Sequence, residues 1–197
     1  MNQALQEELI ALDTLDKKVR AELVASGKLF NGYHPRMAAV HAQNAKALQR
    51  IIDAWGWPGR SLVGDEGAEA AWLVLQHSIA HPELQRRCLP LLQAAAGAGE
   101  IPASYAAFLE DRICYWEERP QRYGTQFDWD ENGELSPLPL QDPDRVDSLR
   151  AGVGLGPLSE RVQQIRSDAE AEGNRPPGDF EKRRREKTAF AKTVGWL

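Results

Sequence analysis

Several side chains that could do chemistry lie where the helical pattern of this sequence predicts apolar residues. His41 and Asn44 continue an apolar stripe with helical spacing over residues 35–55. Gln76 and His77 directly follow the apolar run 72–75 of a predicted helix that is expected to be buried all round, which leaves them few routes to water. Burying an unpaired amide or imidazole costs about 1–3 kcal/mol, so each is expected to find a partner. Because imidazole titrates near neutral pH, His77 is the predicted general base or acid.

An arginine lies on the apolar face of another predicted helix. Arg112 continues a stripe whose other members are Tyr105, Phe108, Leu109 and Trp116. A guanidinium cannot lose its charge, so it needs a carboxylate, several carbonyls or an anionic ligand. We predict that Arg112 holds an anionic group of a ligand and that Asp111 orients Arg112 or His77, which makes these three the predicted catalytic residues. The alternative is a structural ion pair of Arg112, or a guanidinium that reaches solvent.

The segment QRYGTQF, residues 121–127, is polar or aromatic throughout apart from one glycine. Gly124 permits a positive φ, so the segment can fold back toward the preceding helices. We predict that it closes a polar pocket in an otherwise apolar cavity, which is the usual form of a site for a small ligand. The predicted ligand-binding residues are His41, Asn44, Gln76, Gln121, Tyr123, Thr125 and Gln126. The alternative is a strand entry, with polar side chains that satisfy the neighbouring backbone.

The elements that must position these residues are mostly helices. Apolar periodicity, together with glycine and proline boundaries, predicts helices over about 2–26, 35–55, 65–79, from 82 with a kink or break at Pro90, 102–116, 143–151, 157–171 and 179–193. Asn132-Gly133 between two β-favouring runs predicts one small β-hairpin at about 125–137. The predicted fold class is therefore mainly α, a compact multi-helix domain with one small hairpin and a charged C-terminal helix. Residues 1–172 are expected to form this single domain, and 173–197 a linker with a helical extension.

Composition restricts the classes of partner. The chain has 197 residues and a formal net charge of -5, which argues against general binding to nucleic acid or to a membrane surface. No stretch approaches the roughly 20 apolar residues of a membrane span, and the first residues lack the pattern of a signal peptide. Cys88 and Cys114 are too few for a disulfide framework or for a tetrahedral zinc site. A cytoplasmic protein is expected.

Residue spacing predicts no metal site. The chain has 4 histidines, and none of them forms the H-E-x-x-H arrangement of a zinc helix. The stretch DWDENG, residues 128–133, resembles the first half of a calcium loop, but Pro139 stands where that loop needs a glutamate. The sequence therefore predicts no metal ligand and no cofactor, while a site assembled in space from distant histidines is left open.

Beside these patterns, the sequence resembles an uncharacterised bacterial family, known only as a domain of unknown function. The matching stretches are VHAQNA (40–45), GWPGRSLVG (56–64), AAWLVLQHS (70–78), LEDR (109–112), QRYGTQF (121–127) and RAGVGLGPL (150–158). They cover about residues 35–160. The resemblance implies as signature positions His41, Asn44, Trp57, Pro58, Gln76, His77, Gln85, Asp111, Arg112, Gln121, Tyr123, Gly124, Thr125 and Gln126. It implies no established activity.

Two functions are consistent with these observations. The first is a pocket for a small polar or anionic molecule, and, if the protein is an enzyme, hydrolysis or group transfer without a cofactor. The second is a noncatalytic interaction module in which the polar cluster only fixes helix packing. In that case the first helix would bind a protein partner or a second copy of the chain.

Overall fold

The computed structural model describes residues 1–28 and 33–197. These residues form two compact units, Met1–Ile101 and Pro102–Leu197. None of the helices described is long and apolar enough to cross a membrane. The single domain predicted over residues 1–172 stays a prediction.

The first unit is built from four helices in its described part. They are α1 (Gln3–Ala25), α2 (Pro35–Trp55), α3 (Arg60–His77) and α4 (Pro82–Gly97). The helices α1, α2 and α3 pack against one another, and α4 packs against α3. Their apolar stripes meet in a core that includes Leu9, Leu23, Leu48, Ile51, Val63, Leu75 and Leu92. Helix α1 begins where the Asn2 side chain accepts the N–H of Leu5, an ordinary N-cap.

Two helices of the first unit differ in detail from the sequence prediction. α3 begins at Arg60 rather than at Asp65, but Gly64 leaves the helical conformation with a φ of 68°. The predicted start therefore coincides with the resumption of the helix after that interruption. α4 continues past Pro90 as one helix, so the break considered there does not form. Pro90 lacks the N–H that would bond to the carbonyl of Arg86.

The second unit combines helices with the hairpin. Its elements are α5 (Ala103–Trp116), β1 (Phe127–Trp129), β2 (Leu135–Pro137), a 3-10 turn (Pro143–Arg145), α6 (Val146–Gly152), α7 (Leu158–Ala171) and α8 (Phe180–Val194). Strand β2 packs against α7. The ring of Trp116 at the end of α5 lies 5.2 Å from that of Phe190 and 6.4 Å from that of Trp196. These aromatic contacts hold α8 to the unit.

The predicted hairpin is confirmed. β1 and β2 pair antiparallel, with Asp128 opposite Ser136. The turn follows from local chemistry, because the Asp130 carboxylate accepts the N–H groups of Asn132 at 2.9 Å and Glu134 at 3.0 Å. Gly133 takes the positive φ that this turn requires, 74°. The predicted fold class, mainly α with one small hairpin and a charged C-terminal helix, is thus confirmed over the described residues.

Candidate functional site

Three helices of the first unit each contribute one polar side chain to a shared cluster. Asp16 comes from α1, His41 from α2 and His77 from the last residue of α3. Nε2 of His41 lies 2.9 Å, and Nδ1 of His77 lies 3.0 Å, from the same oxygen of Asp16, Oδ2. One ligand atom of each of the three residues lies within 4.8 Å of those of the other two. We call Asp16, His41 and His77 the Asp–His cluster.

The helix patterns explain why these residues meet. Asp16 stands seven residues from Leu9 and from Leu23, so it lies on the buried face of α1. His41 lies on the buried face of α2, as the apolar stripe predicted. His77 ends α3, where the helix runs out of the core, and its side chain is 36% exposed. The cluster is therefore buried on two sides and open to solvent at His77.

Asp16 carries a negative charge at this site. Its residue is 2% exposed, and burial by itself raises the pKa of its carboxyl group. Hydrogen bonds from His41 and His77 outweigh that effect, so the pKa is lowered overall. The carboxylate can only accept hydrogen bonds, and both imidazole nitrogens that face it must carry protons to bond to it.

The Asp–His cluster is incompletely satisfied. Oδ1 of Asp16 is buried and has no hydrogen-bond partner among the described residues. The Nε2–H bond of His41 does not point along the line to Oδ2, so that 2.9 Å contact is bent. A buried carboxylate oxygen without a donor is uncommon, and an ordered water or a cation is the usual reason.

Tyr33 extends the cluster on the side of His41. Its hydroxyl oxygen lies 2.8 Å from Nδ1 of His41, and the two rings stack with centroids 5.6 Å apart. Burial, followed by the charge of Asp16, raises the pKa of Tyr33 to about 12, so its hydroxyl keeps its proton at neutral pH. Tyr33 therefore gives His41 a neutral hydroxyl that can donate or accept.

Two other predicted ligand-binding residues lie in the first unit. Nδ2 of Asn44 donates to the carbonyl of Leu12 at 3.0 Å, which ties α2 to α1 one turn before Asp16. The Asn44 side chain is buried, and its Oδ1 has no hydrogen-bond partner among the described residues. Gln76 is 4% exposed and directly precedes His77. Asn44 thus follows His41 by three residues on α2, and Gln76 precedes His77 by one residue on α3.

In the second unit, Asp111 organises the 121–127 segment. It is fully buried, and its two oxygens accept the backbone N–H groups of Arg122 at 2.7 Å, Tyr123 at 3.1 Å and Thr125 at 2.9 Å. A carboxylate that accepts several backbone N–H groups holds a loop in one conformation. Asp111 therefore has a structural task here, and its predicted catalytic role stays a prediction.

The same segment is held from two further directions. The amide of Gln121 donates to the carbonyls of Gln126 and Leu138, both at 2.9 Å, and accepts the N–H of Gln126 at 2.9 Å. The buried Arg150 donates to the carbonyls of Tyr123 at 2.8 Å and Gly156 at 2.6 Å. For Gln121 the structure thus shows the alternative considered from the sequence, a polar side chain that satisfies neighbouring backbone.

Cavities adjoin this segment within the second unit. Thr125 and Arg150 line one of about 430 Å³, and Gln121 and Gln126 line another of about 370 Å³. The ring of Tyr123 is buried under the guanidinium of Arg122, which lies 5.3 Å from the ring centroid. The remaining predicted catalytic residue, Arg112, belongs to α5, and burial lowers the pKa of its guanidinium.

The predicted site residues divide between the two units. His41 and His77 meet in the first unit, whereas Asp111 meets the 121–127 segment in the second. One pocket shared by His77 and Arg112 stays a prediction, because these residues belong to different units. The sequence analysis did not identify Asp16, Tyr33 or Arg150 as site residues. Only the seven-residue spacing of Asp16 from Leu9 could have indicated its burial.

Fold and site together define a helical protein with a carboxylate–imidazole cluster. Residues 3–173 match the sequence model of a family described as a family of unknown function (DUF6624), and the chain belongs to that family. No curated protein and no solved structure matches the chain. The family range includes the whole Asp–His cluster. Since the function of this family is unknown, function has to be argued from the site itself.

Proposed function

We propose that the protein binds a divalent transition metal at the Asp–His cluster and uses it in hydrolysis or group transfer on a small polar or anionic molecule. One observation carries the proposal: two imidazole nitrogens, at 2.9 Å and 3.0 Å, converge on one oxygen of a buried carboxylate. Two histidines and one carboxylate are a common ligand set for zinc and for non-haem iron.

Two of the three ligand separations suit a metal as they stand. Metal–nitrogen and metal–oxygen bonds are about 2.0–2.2 Å long, so two ligand atoms lie about 3.0 Å apart at the right angle of an octahedral ion and about 3.4 Å apart at the tetrahedral angle of zinc. The imidazole nitrogens of His41 and His77 lie within 4.8 Å of each other and must come to about 4.2 Å or less in the complex. The separations of Oδ2 of Asp16 from the nitrogens of His41 and His77 are 2.9 Å and 3.0 Å. An ion would replace the two N–H protons between these atoms. Oδ1 of Asp16, which has no donor among residues 1–28 and 33–197, adds a further acceptor for a cation.

The arrangement leaves room for chemistry. Three protein ligands leave a coordination position open for water or substrate, as in catalytic zinc sites. The partial exposure of His77 puts that position within reach of solvent. A metal lowers the pKa of bound water to about 7 and polarises a carbonyl or phosphoryl oxygen, which favours hydrolysis of a small polar molecule.

Metal binding tests the proposal directly. Calorimetry with Zn²⁺ and visible absorption with Co²⁺, on protein without a histidine tag, are expected to show one ion per chain. Asp16→Asn, His41→Gln and His77→Gln remove one ligand each, so each is expected to weaken binding by more than about 100-fold. His81→Gln is the matched control, because His81 belongs to the same unit and lies outside the cluster. Wild-type protein that binds neither ion would overturn the proposal.

Metal removal tests the chemistry. Chelated and Zn²⁺-loaded protein would be compared on phosphate esters, carboxylic esters and amides. Activity that appears only with the ion supports metal-assisted hydrolysis.

A second candidate function is catalysis by His77 without a metal. It is favoured by the 3.0 Å contact from Nδ1 of His77 to Asp16, because a carboxylate that orients one imidazole nitrogen leaves the other to move a proton. Activity that persists in chelated protein and is lost in His77→Gln would identify this function. The noncatalytic alternative predicts instead that the cluster variants change only stability.

A further inference from the structure

Tyr33 contacts His41 of the Asp–His cluster both through its hydroxyl and through its ring. Its hydroxyl lies 2.8 Å from Nδ1 of His41, the nitrogen that faces away from Asp16. The Tyr33 ring also packs against the buried side chains of Val19, Leu23 and Met37. Packing on its ring and the contact at its hydroxyl therefore fix where Tyr33 meets His41.

The imidazole of His41 is held on both sides. Its ring stacks on that of Tyr33 with centroids 5.6 Å apart and lies 5.3 Å from the ring of His77. A ring constrained in this way keeps Nε2 2.9 Å from Oδ2 of Asp16. What can still change is the nitrogen that carries the proton.

We infer that Tyr33 positions His41 for the metal by reversing their hydrogen bond: its hydroxyl donates to Nδ1 in the metal-free protein and accepts from Nδ1–H when Nε2 binds the ion. The inference rests on the metal centre proposed above. It adds a residue that touches no metal and that the cluster needs in both of its states.

The metal-free state follows from proton counting. A neutral imidazole carries one proton, and the 2.9 Å contact of Nε2 with the acceptor Oδ2 of Asp16 favours that proton on Nε2. Nδ1 then has only a lone pair, so the hydroxyl of Tyr33 must be the donor.

The metal-bound state requires the opposite. A metal ligand must present a lone pair, so Nε2 loses its proton and Nδ1 carries one. A hydroxyl accepts as readily as it donates, and the 2.8 Å contact can serve both states by rotation of the O–H bond alone. A carboxylate in this place could only accept, and a lysine could only donate. Tyrosine is therefore suited to a site that gains and loses its ion.

Metal affinity of Tyr33→Phe provides the first test. Loss of a partner behind a ligating histidine typically costs 10–100-fold in metal affinity. We therefore expect Zn²⁺ and Co²⁺ to bind Tyr33→Phe about 10–100-fold more weakly, still with one ion per chain. Tyr105→Phe, in the second unit, is the matched control and is expected to bind as the wild type does.

The second test measures which nitrogen of His41 carries the proton. If Tyr33 had only a structural role, metal binding would not be expected to change its hydrogen bond with His41. Long-range ¹H–¹⁵N spectra of the wild type are expected to show the His41 proton on Nε2 without metal and on Nδ1 with Zn²⁺. This measurement needs no variant, so it stands even if Tyr33→Phe folds poorly.

Two outcomes separate this inference from the proposed function. Tyr33→Phe that binds as tightly as the wild type, while Asp16→Asn does not bind, overturns the role of Tyr33 and keeps the metal centre. A His41 proton that stays on the same nitrogen in both states also overturns it. Absence of binding in the wild type removes the metal centre and the inference with it.

Discussion

Two buried aspartates, one in each unit, use the same side chain differently. Asp111, on α5, accepts the backbone N–H groups of three residues of the 121–127 segment, and both of its oxygens are occupied. Asp16 faces two imidazoles through one oxygen and has no hydrogen-bond partner at the other among the described residues. A carboxylate saturated by backbone amides fixes a conformation. A carboxylate that faces imidazole N–H groups and has a second oxygen without a donor among the described residues can bind a cation when those protons leave.

The largest expected effect is the loss of stability when the structural carboxylate, Asp111, is removed. Asp111→Ala would leave the N–H groups of Arg122, Tyr123 and Thr125 without their acceptor. We expect a loss of about 3–5 kcal/mol in the free energy of unfolding, measured in urea, because several buried donors become orphaned together. Asp16→Asn is expected to cost less, because an amide oxygen can still accept a bond from an imidazole N–H.

The same pair of variants should separate in metal binding. Asp111→Ala is expected to bind Zn²⁺ as the wild type does at a temperature where it is folded, while Asp16→Asn loses binding. An Asp111→Ala variant that loses under about 1 kcal/mol would show that the 121–127 segment does not depend on this carboxylate.

A second effect uses the two cysteines as reporters of the two units. Burial raises the pKa of Cys88, in the first unit, to about 12 and raises that of Cys114, in the second. Both thiols are protonated at pH 8 in the folded protein, so labelling by a disulfide reagent is expected only when the chain opens. Zn²⁺ at about 100 times its dissociation constant should slow labelling of Cys88 by about 100-fold, because binding stabilises the closed form by about 2.7 kcal/mol.

The response of Cys114 sharpens the comparison between the units. The single domain predicted over residues 1–172 implies that Zn²⁺ slows labelling of both thiols equally. Slowing at Cys88 alone would contradict that prediction. Mass spectrometry of the labelled peptides separates the two rates, and Asp16→Asn is the control in which Zn²⁺ should slow neither thiol.

The smallest expected effect concerns the loop that Asp111 holds. Gly124 has a φ of 64°, a conformation that costs about 1–2 kcal/mol for a residue with a Cβ atom. A Cβ atom at Gly124 would also lie only 2.9 Å from Cδ1 of Leu158. Gly124→Ala is therefore expected to lower the free energy of unfolding by at least that amount in a urea titration. Gly152→Ala is the matched control, since a Cβ atom there meets nothing within 4 Å and no positive φ is needed. Equal effects of the two substitutions would refute the account of Gly124.

Much of the fold could be predicted because its signals are local. The apolar spacing of α2 and its flanking proline and glycine gave the bounds that the structure shows, Pro35–Trp55. Asn132-Gly133 indicated the hairpin, since its turn is set by the conformations of a few adjacent residues. The burial of His41, Asn44 and Gln76 also followed from helical spacing, which reports the face of a helix on which a residue lies.

The amino-acid sequence by itself thus determined most of the elements and several of the polar side chains that they bury, among them His41, Asn44 and Gln76. Tertiary structure alone decided which of these meet. Asp16, His41 and His77 come from three helices, and no spacing along the chain states that they converge on one oxygen. Asp111 bonds to backbone N–H groups, which every residue except proline carries, so its partners leave no mark in the residue types. The spacing of apolar residues tells on which face of a helix a side chain lies. A site depends on the distances between side chains of different helices, and only the packing of those helices sets these distances.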